Sequence, residues 1–281
     1  MAGSRNPPLY PVSSVVGVIA GRAPTWYRKL MCTVVFLRRP AHDCPLILAA
    51  NRDEMGDRPW LPPGRHWPDR PDVVAGKDLL AGGTWMGVND DGVVAGILNR
   101  KDSLGTDPRL RSRGELVLEA LDHADAVAAA GALADLDPRG WRSFNLFVAD
   151  NRDAYWVRSL GPSGPDRVTV QEIPEGLSML TAWDLNARRS ARTRHFLPRF
   201  AAAAVPDPAS GDWEGWAALM ASRDFAAGSG PSEAMRIVTG HGFGTLSSSL
   251  VALTHPSVNP SKHWLFAAGP PGEVAYAPVA L

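Results

Sequence analysis

From residue 32 onward, apolar residues gather in short runs separated by clusters of Gly, Pro, Asn and Asp, a pattern of strands and turns more than of long helices. Residues 32–37 are rich in β-branched and aromatic side chains and predict a strand. Residues 46–50 predict a second, ending on the charged tip Asn51-Arg52-Asp53-Glu54 before a Pro-rich loop over 58–71. A hairpin follows, with arms at 83–88 and 93–98 around the turn Asn89-Asp90-Asp91-Gly92. Ser112-Arg113-Gly114-Glu115 has capping-box spacing ahead of an apolar series, so a helix is expected from there to about residue 130, with a break at Asp137-Pro138.

Strands resume at 144–149, 154–158, 168–173 and 177–182, a meander. Helical spacing then covers 186–200 and 212–221, and the chain closes with apolar runs at 235–238, 246–253, 264–268 and 274–279. Runs of strands interrupted by paired helices predict an α+β protein, antiparallel sheets with helices packed outside them. One domain over 31–281 is expected, and no internal repeat is visible.

Composition narrows the classes. Hydrophobic residues make up 45% of the 281 positions and charged residues 21%, which fits a chain that folds around a core. Lys plus Arg and Asp plus Glu both total 29, so no global field draws the protein to nucleic acid, and no run has the roughly 18 apolar residues of a membrane span. A cytoplasmic protein acting on a small molecule is the expectation. Residues 1–30 are different material, with one short apolar run and none of the patterning that starts at Met31. They read as a spurious or disordered extension, without the small-x-small cleavage site of a secretory signal. Translation from Met31 followed by removal of that Met would leave Cys32 with a free α-amine.

A thiol is only a few per cent ionised at neutral pH, so a nucleophilic cysteine needs a base or a nearby cation. An N-terminal cysteine carries its own base, because an α-amine titrates near pH ~8. Cys32 and Cys44 lie too far apart for a redox pair, and the seven histidines form no metal motif, so no metal is expected. Arg52 would stabilise a Cys32 thiolate and Asp53 would orient the ammonium, although alternation along a strand sends the two side chains opposite ways unless the strand ends there.

The ordered set Met31-Cys32, Asn51-Arg52-Asp53-Glu54, Gly82-Gly83-Thr84-Trp85, Ser112-Arg113-Gly114-Glu115, Phe144-Asn145-Leu146 and Gly242-Phe243-Gly244-Thr245 resembles the NRDE family, which includes the eukaryotic transport and Golgi organisation 2 proteins. The resemblance implies a four-layer αββα sandwich of the N-terminal nucleophile hydrolase type. It also implies an amidohydrolase in which Cys32, Arg52 and Asp53 are catalytic, as in similar cysteine acylases. Asn51 and Glu54, together with Trp85, Asn99, Asp184 and Asn186, are the candidates for substrate binding. Two positions depart from the family pattern: Leu180-Thr181-Ala182 stands where relatives read Leu-Ser-Asn, and Leu246 where they often have Arg. No cofactor is required by this reading. The alternative implied by the eukaryotic relatives is a carrier of haem or another apolar, lipid-like ligand.

Overall fold

Along the first strand, β1 (Thr33–Arg38), Val34 and Phe36 point to one side and Val35 and Leu37 to the other, so both faces need cover. The second, β2 (Leu46–Met55), repeats this with Leu46 and Leu48 on one face and Ile47 and Ala49 on the other. Two doubly apolar strands at the start of a chain already call for a middle layer in a stack. The computed structural model, which describes residues 32–105, 107–258 and 262–281, has that arrangement. The expected start at Met31 and the reading of residues 1–30 lie outside the described residues.

One sheet has six strands in the order β10 (Gly176–Leu180), β1, β2, β11 (Phe243–Leu253), β12 (Lys262–Ala267) and β13 (Ala277–Pro278). The other has seven, β3 (Trp60–Gly64), β4 (Val73–Asp78), β5 (Met86–Asn89), β6 (Val94–Asn99), β7 (Phe144–Ala149), β8 (Ala154–Ser159) and β9 (Thr169–Glu172), in sequence order. Every neighbouring pair is antiparallel. Phe36, Leu48, Leu98, Phe147 and Trp156 pack between the sheets. Helices α1 (Gly114–Leu121) and α2 (Ala126–Ala134) cover the seven-stranded sheet through Leu116, Val117, Leu121 and Leu133. On the far side of the six-stranded sheet, α3 (Ala191–Ala202) and α4 (Glu214–Met220) press Phe196, Phe200, Trp216 and Met220 onto Val35, Ile47 and Leu250. Each such side chain taken fully from water is worth about 1.5–3 kcal/mol, so the order helix, sheet, sheet, helix follows from three separate apolar layers.

Four departures from the expected elements have local causes. The Pro-rich stretch contains β3, which tolerates Pro62 and Pro63 because it is a sheet edge with an irregular register. The single helix expected to about residue 130 is two, because Asp125 starts a new one by accepting from the Ala128 amide. The next helix begins at Ala191, not near Asn186, since Asn186 is in the left-handed region at φ 56° and Ser190 supplies the cap. Residues 235–238 make only an isolated bridge, Val238 to Gly244.

Candidate active site

The charged tip does not end its strand. Asn51, Arg52, Asp53 and Glu54 are all inside β2 and are paired to β11, with Asn51 opposite Ser248 and Glu54 opposite Gly244. Alternation therefore holds, and the expected turn that would let Arg52 and Asp53 converge is absent. Arg52 and Glu54 share the face of Leu46 and Leu48, between the sheets; Asn51 and Asp53 share the face of Ile47 and Ala49, toward α3 and α4.

The inner face opens on a cavity of about 640 Å³, whose walls include Cys32, Arg52, Glu54, Trp85 and Asn99. Cys32 sits just before β1, and its Sγ accepts from the Asp53 amide at 3.3 Å and lies 3.6 Å from the Asp53 carbonyl. Burial pushes the thiol up to about 12, the Asp53 carboxylate adds to that, and Arg52 opposes it. The thiol is thus protonated at neutral pH in this setting. The Arg52 guanidinium lies over the Trp85 ring at 4.4 Å and is 6.0 Å from the Trp60 ring, with Glu54 at 4.0 Å. Its Nη1 is buried without a hydrogen bond. The Asn99 side chain makes no hydrogen bond among the described residues, and it stands at the end of β6 with its amide available to the cavity.

The outer face of β2 is built differently. Asp53, 2% exposed, accepts from Thr245 Oγ1 at 2.5 Å and pairs with Arg192 Nη1 at 3.6 Å. Burial pushes its carboxyl up to about 7, while Arg192 and Thr245 pull the other way. Asn51 donates from Nδ2 to the Met220 and Met235 carbonyls at 3.0 and 2.8 Å, which ties β2 to the end of α4 and the segment beyond it. Its carboxamide nitrogen is therefore engaged on the outer face, although the residue also borders a small pocket beside Cys32, Arg52 and Trp85.

Asp184 and Asn186 also lie elsewhere. Asp184 is held by Arg100 at 2.7 Å, Arg189 at 3.4 Å and Arg158 at 3.5 Å, a carboxylate enclosed by three cations. Asn186 closes the turn after β10, accepting from the Met179 amide at 2.8 Å and donating to Ser178 Oγ at 3.0 Å. Neither lines the cavity. Fully buried Asn145 braces this region by donating to the Thr181 and Trp183 carbonyls, which explains the Phe144-Asn145-Leu146 motif as cross-sheet scaffolding.

The family profile described as Transport and Golgi organisation 2 matches residues 31–195, more than half of the chain. The chain belongs to that family. Its mouse homologue is 32% identical over 115 residues, and the human homologue 33% over 115 residues. Each alignment covers 37% of this chain and 38% of the relative, so the matched stretch spans less than half of those proteins. Among solved structures, the Caenorhabditis elegans orthologue of N-acylethanolamine-hydrolyzing acid amidase superposes with a TM-score of 0.50 at 12% identity, covering 82% of this chain and 95% of that one. The two chains share the four-layer sandwich fold.

For this transport and Golgi organisation 2 family member the sequence motifs divide into cavity and frame. Gly83 lies against Gly114 so closely that a Cβ on Gly83 would stand 2.6 Å from the Gly114 carbonyl carbon, and the Thr84 amide donates to the Gly114 carbonyl. The Gly-Gly-Thr-Trp and Ser-Arg-Gly-Glu motifs are thus two sides of one contact that sets Trp85 and Arg113 beside the cavity. Gly76 leaves room for the Trp85 ring, which a Cβ there would meet at 2.3 Å. Arg192, with no exposed side-chain surface, was not anticipated. Its signal was a cation four residues before Phe196 and eight before Phe200, on the apolar stripe of α3. Cys44 is buried under α3 and α4 with Sγ directed to the Leu46 and Leu253 carbonyls, away from the cavity. No histidine lines the cavity. No cluster of His, Cys, Asp and Glu suited to a metal occurs among the described residues, and no helix among them is long and apolar enough to cross a membrane.

Proposed function

We infer that this protein cleaves a C–N amide bond with Cys32 as nucleophile. The observation that carries the reading is the meeting of a thiol, a buried guanidinium with a free Nη1 and an unengaged carboxamide, Asn99, around one cavity. The Sγ–C bond forms as the carbonyl oxygen takes negative charge, the C–N bond then breaks, and the amine departs with a proton; water next hydrolyses the thioester and restores the thiol. Asn99 Nδ2 is the candidate donor to the oxyanion, and Arg52 supplies positive charge beside it.

The missing part is a base, since burial holds the thiol protonated. A free α-amine on Cys32, left by translation from Met31 and removal of that Met, supplies it by accepting the thiol proton. The carboxyl of Asp53 acts as a positioning group, since its backbone meets Sγ while its side chain is locked to Thr245 and Arg192. A fold neighbour named as an amidase supports the same reaction class.

The test combines intact-mass analysis of natively expressed protein with an electrophilic cysteine probe applied across pH. Adduct at Cys32 and not Cys44, in chains that begin at Cys32, is the expected result. Chains that retain Met1, or amide hydrolysis undiminished in Cys32→Ala, overturn the reading.

A further inference from the structure

Five arginines line the cavity, and three are matched: Arg58 by Asp78 at 2.7 Å, Arg111 by Glu115 at 2.7 Å, and Arg52 by Glu54 and its two tryptophans. Arg113 and Arg142 are different. Neither has a carboxylate within ion-pair distance among the described residues. Asp107, on which the charge of Arg142 acts, is already held by Arg109 at 2.8 Å. Arg113 spends Nη1 on three neutral acceptors, the Ser103 carbonyl and hydroxyl at 3.0 Å and the Ser143 carbonyl at 3.1 Å, leaving Nε and Nη2 without hydrogen bonds among the described residues. Burial and the charge of Arg142 together depress Arg113 to about 10. Two guanidinium groups that repel each other in a partly buried wall are stabilised when an anion arrives between them. Beside them the lining is apolar, with Leu104, Leu110 and, at the mouth, Leu80, which is 66% exposed. Glu54 and, when ionised, Cys32 are near enough for their negative charge to act on Arg113.

We propose that Arg113 and Arg142 form an oxyanion-binding subsite, so that the ligand of this cavity is an amphiphile carrying a carboxylate, sulfonate or phosphate, with its apolar part along Leu80, Leu104 and Leu110. The inference names the substrate class for the amidase reading and rests on it for what happens at Cys32, whereas the manner of holding the ligand is independent of turnover. Such a ligand satisfies the spare guanidinium donors bidentately, a match that lysine would not give.

The test is a fluorescence titration of the full chain with 8-anilinonaphthalene-1-sulfonate and with its uncharged counterpart N-phenyl-1-naphthylamine. Arg142→Gln is the main variant, because Arg142 makes no hydrogen bond that the fold depends on among the described residues. Arg113→Gln is the second, checked by near-ultraviolet circular dichroism. The sulfonate should bind about tenfold more weakly to Arg142→Gln, as expected for loss of a charge-assisted contact, with the neutral dye unchanged. Equal sulfonate affinity in the wild type and both variants overturns the subsite, as does a parallel loss of both dyes or no saturable sulfonate binding to the wild type. Cys32→Ala separates the two ideas: dye discrimination that persists while amide cleavage is absent from every chain removes the amidase reading and leaves the subsite standing, and cleavage without discrimination does the reverse.

Discussion

The two faces of β2 carry the same tetrapeptide and obey different rules. On the outer face, Asp53 and Asn51 are buried and engaged by Arg192, Thr245 and two main-chain carbonyls, the arrangement of a structural joint. On the inner face, Arg52 and Glu54 meet a cavity, and Arg52 retains an unsatisfied donor. Buried atoms without a hydrogen bond occur on both faces, Asn51 Oδ1 and Asp53 Oδ2 outside and Arg52 Nη1 inside, but only Arg52 stands beside the cavity. Unsatisfied buried groups are costly, and they persist where a rigid frame holds them.

The comparison is broken most forcefully at Arg192. Replacing it with Met leaves the Asp53 carboxyl buried without its cation, and a loss of about 3–5 kcal/mol is expected in chemical denaturation. Adding Asp53→Asn should recover part of that loss, which would identify the ion pair as the cause. Next in size is Asn51→Ala, which strands the Met220 and Met235 carbonyls and should cost about 1–3 kcal/mol. Equal stability of Asn51→Ala and the wild type would dissolve the distinction between the faces.

A pH series sharpens the same contrast. Because the folded carboxyl of Asp53 is raised to about 7 from an ordinary value near ~4, the folded state binds the extra proton between those limits. Its contribution to stability is full below pH ~4 and is lost as pH rises through about 7. Asp53→Asn should remove that slope from the stability profile, read by denaturant midpoint at each pH. The smallest stability effect is expected on the inner face, where Arg52→Gln forfeits mainly its contact with Trp85, about 0.5–2 kcal/mol. Its larger consequence is chemical: with Arg52 no longer opposing the rise in the Cys32 thiol, Cys32 should label more slowly at any given pH.

Much of the sandwich was legible. The hairpin around Asn89 to Gly92 and the strands expected at 144–149 and 154–158 follow from residue types that favour pleated, half-buried surfaces. The strand β4 was missed because its neighbours are Pro-rich and its six residues carry little pattern of their own, and β3 because its prolines argue against a strand unless it is an edge. In the site, Cys32, Arg52, Asp53, Glu54, Trp85 and Asn99 border the larger cavity and Asn51 a small pocket beside Cys32, whereas Asp184 and Asn186 border neither. Asp184 was misread because its three arginine partners come from residues 100, 158 and 189, a cluster no window of sequence displays.

By itself the sequence determined the alternation of the strands, the layering of antiparallel sheets with helices outside them, and the ordered motifs that mark the family, since all of these are written in neighbouring residues and their periods. Only the tertiary structure decided which face of β2 looks into the cavity, that Arg192 and Thr245 secure Asp53, and that Arg113 and Arg142 line one wall with no carboxylate at ion-pair distance among the described residues. Those outcomes depend on distances between elements remote in the chain, and a side chain's partners, burial and charge state exist only once packing has set those distances.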